Sequence, residues 1–358
     1  MPSLKEIKGR INSISSTLAI TSAMKMVAAA KLQKAQMAIQ NMLPYERRLH
    51  SMLIDLMGAM NISAAASEDG SVRGSGSAER GFDQSGDRLS LSNRHDLAGM
   101  DGAYSLMAQR EVRKVAIVAF ASNSSLCGAF NSNVIREATA VINEYRASGL
   151  GDADITVYSV GRKMAEAMKK LGFPSPADFT KMSDSPSYDA ASALAQELFD
   201  GFVSGRFDKV ELVYNHYKST SSQPTTRQTY LPLSLADATA DLQAGKIADS
   251  ASESDTNRGA EPVGAPVVRQ GSPTTEDLIV EPSKEALIAT LLPKVIRLRI
   301  FTTLLDSAAA EHAARTVAMQ LATDNGNDLL QELTLEYNKG RQQKITSEIL
   351  DLVGGSMP

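Results

Sequence analysis

Residues 3–57, SLKEIKGRINSISSTLAITSAMKMVAAAKLQKAQMAIQNMLPYERRLHSMLIDLM, decide the architecture. Steps of three and four from Leu4 land on Ile7, Ile11, Ile14, Leu18, Thr21, Lys25, Ala28, Leu32, Ala35, Ile39, Met42, Glu46, Leu49, Leu53 and Leu56. Thirteen of these sixteen positions are apolar, in a chain that is 43% hydrophobic overall. A sustained period of 3.5 keeps one seam of a helix facing a partner over many turns, which is the coiled-coil signature. Ser3 and Glu6 read as a capping box at the start. Pro44 falls off the seam, and the pattern continues past it. A helix this long rises roughly 80 Å at ~1.5 Å per residue. No small domain covers that length, so a second long helix is required.

The other end of the chain supplies it. Residues 281–358 read as a C-terminal coiled-coil helix that starts after Glu281 and Pro282 with Ser283 as cap. Its apolar face is broad at first, over Leu287, Ile288, Leu291, Leu292, Val295 and Ile296. It continues through Leu298, Leu305, Ala309, Ala318, Leu321, Leu329 and Leu333 to Ile345, Ile349 and Leu352. The phase drifts more than in the first helix, so the surface it packs on changes along its length. Gly354 and Gly355 end it.

Between the helices, residues 112–235 alternate strand and helix patterns. Val112 to Phe120, Asp154 to Val160, Lys209 to His216 and Thr226 to Leu233 read as strands. Asn131 to Ala147, Arg162 to Leu171 and Tyr188 to Val203 read as helices. This order predicts a small, mostly parallel sheet covered by helices, with the last two strands as a hairpin. Residues 61–111 are rich in Gly, Ser, Asp and Arg, and residues 236–280 are low in order-promoting residues and acidic; both read as flexible insertions. The expected fold is therefore a long antiparallel coiled coil of the N-terminal helix (1–60) and the C-terminal helix, carrying a central Rossmann-like α/β domain.

Composition excludes several functions. Cys127 is the single cysteine, so neither an intramolecular disulfide nor a cysteine-cluster metal site can form. Trp is absent, aromatics are 5%, and the net charge is -4, which argues against a nucleic-acid binder. No run is apolar enough to span a bilayer. The stretch Ile11 to Met24 is too polar for the core of a signal peptide. After Phe120 the sequence Ala-Ser-Asn-Ser-Ser-Leu-Cys-Gly lacks the glycine pattern of a phosphate cradle. Asp324-Asn325-Gly326-Asn327-Asp328 misplaces the glycine of a calcium loop and reads better as a polar helix face. Cys127 reads as a small buried hydrophobe rather than a nucleophile. No catalytic constellation, cofactor site or metal site emerges. Residues 1–57 carry eight Lys or Arg against three Asp or Glu, a charge that steers a rod toward an acidic partner.

Both termini resemble the gamma subunit of F-type ATP synthases. The resemblance is carried by Ser3-Leu4-Lys5-Glu6-Ile7-Lys8-Gly9-Arg10-Ile11, by Ile20 through Leu32, by Glu311 through Met319, by Ala322-Thr323-Asp324-Asn325 and by Leu333 through Gln342 with Ile345 through Ile349. Centrally, Ser125-Leu126-Cys127-Gly128-Ala129-Phe130 resembles the family's Gly-Leu-Cys-Gly-Gly turn, with Ser125 and Ala129 where the family has glycine. The resemblance implies a non-catalytic central rotor shaft that couples ion-driven rotation of a membrane c-ring to ATP synthesis or hydrolysis. Its partners would be three alpha and three beta subunits around the shaft, the epsilon subunit and the c-ring. Its location would be peripheral, on the cytoplasmic face of the bacterial inner membrane. By motif position, Met24, Lys25, Arg315, Arg341, Gln342, Thr346 and Glu348 would meet the alpha/beta ring. Leu350, Leu352 and Val353 would sit in an apolar apical bearing. The insertions would act as a brake or contact epsilon; the regulatory dithiol of photosynthetic relatives is impossible with Cys127 alone. Without the resemblance, periodicity also allows a generic coiled-coil tether carrying an α/β module.

Overall fold

In the computed structural model, the described residues are 3–59, 106, 110–233 and 284–355. Most of the two stretches read as insertions, and the cap expected at Ser283, lie outside them. Helix α1 spans Leu4–Ala59 and helix α6 spans Lys284–Gly355, running through Pro44 and Pro293 respectively. Between them lie β1 (Val115–Phe120), α2 (Phe130–Ala147), β2 (Ile155–Val160), α3 (Arg162–Lys170), α4 (Thr180–Asp184), α5 (Tyr188–Val203), β3 (Lys209–Asn215) and β4 (Thr225–Leu231). The short α4 has no counterpart in the sequence reading, because five residues are too few to show a helical period.

The sheet order is β2-β1-β3-β4. β1 is parallel to both its neighbours, and β4 returns antiparallel to β3 with a register shift at Val210/Glu211. Every residue of β1 is buried, as expected of a central strand covered on both faces. Alternation divides its side chains. Val115, Ile117 and Ala119 face Val134, Ala138, Val141 and Ile142 of α2 and Met164 and Met168 of α3. Ala116, Val118 and Phe120 face Leu194, Leu198 and Phe202 of α5 together with Ile288, Leu292, Val295 and Ile296 of α6. The base of α6 is therefore a layer of the α/β domain, which explains its broad apolar face. Leu49 and Leu53 of α1 join this core, as does Leu106, whose carbonyl accepts from Leu233 N–H.

Further along, α1 and α6 pack against each other, antiparallel. Thr21 and Thr323 share a hydroxyl hydrogen bond at 3.0 Å, Leu32 packs on Ala309 and Ala313, and Thr302 donates to Glu46 at 3.1 Å. Each α1 seam position from Leu4 to Leu53 is buried or half-buried. The α6 side is different. Leu321 and Leu329, read as part of its apolar face, are 57% and 49% exposed. The half-buried row is Thr323, Gly326, Leu330, Leu333, Tyr337 and Gly340. A Cβ on Gly326 would lie 2.7 Å from a Leu18 methyl, so the small residue admits the large side chain opposite. At the start of α1, Ser3 Oγ accepts from Glu6 N–H at 3.3 Å, while the Glu6 carboxylate pairs with Arg10 at 2.8 Å.

Candidate partner-contact surface

Helix α1 begins opposite Gly340, where an added Cβ would meet Leu4 at 3.2 Å. Residues 341–355 of α6 extend past that point, about 20 Å of helix without the partner helix beside it. Arg341, Gln342, Thr346, Glu348, Leu350, Leu352 and Val353 all lie on this extension and are all exposed. Leu352 is 74% exposed and Leu350 is 64% exposed, with Ile345 and Ile349 beside them. Clustered exposed aliphatics on a helix that could have been polar mark a contact surface. Glu348 reaches Lys344 at 3.8 Å with both side chains about two-thirds exposed, and Thr346 Oγ1 donates to the Gln342 carbonyl at 2.9 Å. An exposed pair of that kind contributes little to stability.

Met24 and Lys25 are half-buried in the seam between α1 and α6. The outward groups at that level are Ile20, Met26 and Val27, at 60%, 66% and 58% exposure. The seam reading passed over them because it followed one face of the helix; a second apolar row off the seam was the available signal. Arg315 faces inward. Its guanidinium, 11% exposed, donates to Glu311 at 2.7 Å and to Ser124 Oγ at 2.7 Å. It fastens the β1–α2 turn to α6. Burial raises the Glu311 carboxyl above its ordinary value, against the pull of Arg315; Asp184 adds to the rise and Lys31 opposes it. Burial pushes the neighbouring His312 imidazole down to about 4, helped by Arg315 and Lys31, so it is neutral near pH 7.

The turn that Arg315 holds resolves the two glycine replacements. Positive φ falls on Leu126 (69°) and Gly128 (58°), and not on Ser125 or Ala129, so neither replaced position needs glycine's freedom. Cys127 is buried beside Ser122 Oγ and Asn131 Nδ2, neither of which can act as a base toward its thiol. The small cavity between sheet and α6, lined by Phe120, Ser183, Ser307 and Glu311, measures about 10 Å³, space for a water and far too little for a nucleotide. Asp324 to Asp328 are helical, with Gly326 in the seam, so they form no calcium loop. Among the described residues no group of His, Cys, Asp and Glu is arranged to hold a metal, and no helix is long and apolar enough to cross a membrane.

The geometry defines a class: a two-helix rod on an α/β base, with exposed aliphatic and polar groups along its free end. The sequence profile of the ATP synthase family matches residues 3–357. Over the whole of both chains, 47% of residues are identical to the ATP synthase gamma chain of Phocaeicola vulgatus and 45% to that of Bacteroides thetaiotaomicron. Against the gamma chain of Flavobacterium psychrophilum identity is 35%, covering 99% of this chain and 98% of the relative. The chain therefore belongs to the ATP synthase gamma-chain family, as one subunit of a multi-subunit ATPase. Its fold is also similar to a chain of the Euglena gracilis mitochondrial ATP synthase, solved with OSCP, F1 and c-ring in rotational state 3. There the TM-score is 0.52 and the identity 18%, covering 98% of this chain and 93% of that one.

Proposed function

We propose that this gamma chain is the central rotor shaft of its ATP synthase and carries out no chemistry itself. The observation that carries this reading is the bare end of α6: exposed Arg341, Gln342 and Thr346 below an aliphatic tip of Ile349, Leu350, Leu352 and Val353. An aliphatic tip slides in an apolar sleeve without fixed hydrogen bonds to break. The polar groups below it, with Glu348, offer hydrogen-bonding and charged contacts to a surrounding ring of three alpha and three beta subunits. Met24 and Lys25 meet the ring near the seam, where Ile20, Met26 and Val27 face outward. Arg315 acts from inside, by holding the Ser124 turn against α6 where the shaft enters the ring.

A shaft works only by differential binding. Its angle can bias a beta subunit between open and closed forms only if the contacts differ in free energy between those forms. A two-helix rod has no rotational symmetry, so each angle presents a different side to a given subunit. The α/β base would contact epsilon and the membrane c-ring. The protein would then be peripheral, on the cytoplasmic face of the bacterial inner membrane.

Mixing the chain with alpha and beta subunits from the same source tests this. One copy in a six-subunit ring, with ATP hydrolysis dependent on it, supports the reading. Arg341→Ala with Gln342→Ala should lower that activity while leaving the melting temperature of the free chain unchanged. A folded chain that never enters a ring would favour the tether.

A further inference from the structure

Where the α/β domain meets the rod, the turn between β3 and β4 reaches both long helices. Tyr217 is the residue that touches everything. It packs against the small cluster formed by Leu32 of α1 with Ala309 and Ala313 of α6. The same residue borders the small cluster of Cys127, Phe130 and Ala310. Its hydroxyl accepts from Gln36 Nε2 of α1 at 2.6 Å, and its backbone N–H donates to Asp306 Oδ1 of α6 at 2.9 Å. The other oxygen of Asp306 lies 2.6 Å from His216 Nδ1. One carboxylate, 17% exposed, thus holds two consecutive residues of the turn, and the second of them, Tyr217, carries the link to α1.

We propose that the β3–β4 turn is a clasp that keys the α/β domain to both shaft helices, with Tyr217 as its wedge and the His216–Asp306 pair as a catch that opens in alkaline conditions. Asp306 and His216 are positioning residues: they act through Tyr217 and touch no partner. Without the clasp, the stretch of α1 around Gln36 can shift relative to the base, while Leu49 and Leu53 of α1 and the lower part of α6 stay anchored in the core. The consequence for torque rests on the rotor reading above; the clasp itself does not.

The charges around the catch fix its direction. Asp306 on α6 favours the imidazolium, chiefly through its hydrogen bond, and raises the His216 value above its ordinary one. Partial burial and Lys218 on the same turn oppose it, while α1 reaches Tyr217 through the neutral Gln36 amide. A histidine whose folded-state value is raised contributes its full stabilisation below its unfolded value and loses it as pH rises through the folded one. The clasp is closed in acid and weakens toward alkaline pH.

Amide hydrogen exchange of the 215–224 segment tests this, on the full chain and on its complex with alpha and beta. After correction for intrinsic rates, protection of this segment should fall in a single step as pH rises past the ordinary histidine value in the unaltered protein, because Asp306 holds the imidazolium above that value. His216→Gln should abolish the step and keep the segment folded. Asp306→Asn should speed exchange roughly tenfold in the acid range, the loss expected of a charged hydrogen-bonding partner. An unaltered protein without the step, or a step that survives His216→Gln, overturns the catch. In membrane vesicles, Tyr217→Phe and Asp306→Asn should lower ion pumping per ATP hydrolysed. Unchanged pumping with a demonstrably opened turn overturns the keying of base to shaft. Failure of the unaltered chain to join any ring would instead strike the rotor reading and leave the exchange result standing.

Discussion

The lower and upper halves of α6 are one continuous helix with two different environments. From Ile288 to Ala313 it is gripped from several sides: Ile288, Leu292, Ile296, Ile300 and Ala309 are each no more than 1% exposed. Above Met319, no described residue through Val353 is buried. The lower half obtains its stability within the chain, from the sheet, α5 and α1. The upper half has a single partner helix as far as Gly340 and none beyond it. Its aliphatic residues Ile345, Ile349, Leu350, Leu352 and Val353 are left exposed by the fold. Burial within the fold thus marks what makes the base rigid, and exposed apolar surface marks what the tip is for.

The sharpest way to separate the halves is to damage each. The largest effect is expected in the base, at Gly161, between β2 and α3. Its φ is +98°, and an added Cβ would lie 2.0 Å from the Ala121 carbonyl oxygen. Gly161→Ala should cost about 3 kcal/mol or more, from strain plus a backbone clash, read as a lower denaturant midpoint. Next, Ile296→Ala should cost about 2–5 kcal/mol through the cavity it leaves. Leu352→Ala at the tip should change stability by no more than about 0.5 kcal/mol and should weaken assembly with alpha and beta. If Ile296→Ala and Leu352→Ala shift the melting temperature of the free chain equally, the contrast between the halves fails.

Smaller effects refine the boundary. His312 lies near the top of the gripped region, with its value pushed down to about 4 by burial. Its unfolded form takes up a proton near its ordinary value of about 6.5, before the folded form does, so stability should decline as pH falls from there toward 4. His312→Gln should flatten that part of the stability profile. Gly326→Ala should change stability by about 1 kcal/mol at most, because better helix propensity is offset by pushing aside a flexible Leu18 side chain. A large loss there would mean the upper coil is packed as tightly as the base.

The sequence revealed these regions unequally, for the same physical reason. The α1 seam was legible because large aliphatic residues recur at a constant period, from Leu4 to Leu53, and each meets α6 or the core. The upper seam of α6 was not. It mixes Leu330 and Leu333 with Thr323, Gly326, Tyr337 and Gly340, while Leu321 and Leu329 point outward, so a hydrophobic count found Leu333 and otherwise followed the wrong row. The strands and the terminal hairpin of the sheet were readable from β-prone runs, and α4 was too short to see. Of the site residues, those beyond Gly340 stand on the exposed extension, whereas Arg315 turned inward to Ser124, a partner 191 positions away. The clasp was invisible in sequence, since Gln36, Tyr217 and Asp306 converge only in the folded chain.

Rotation is the central claim, and it can be watched. Leu171, at the end of α3 and 45% exposed, offers a site on the base for a bead attached through Leu171→Cys, since the native Cys127 is buried. With the alpha/beta ring fixed to a surface and ATP supplied, the bead should turn steadily in one direction. A complex that hydrolyses ATP at full rate while the bead stays still would contradict the account.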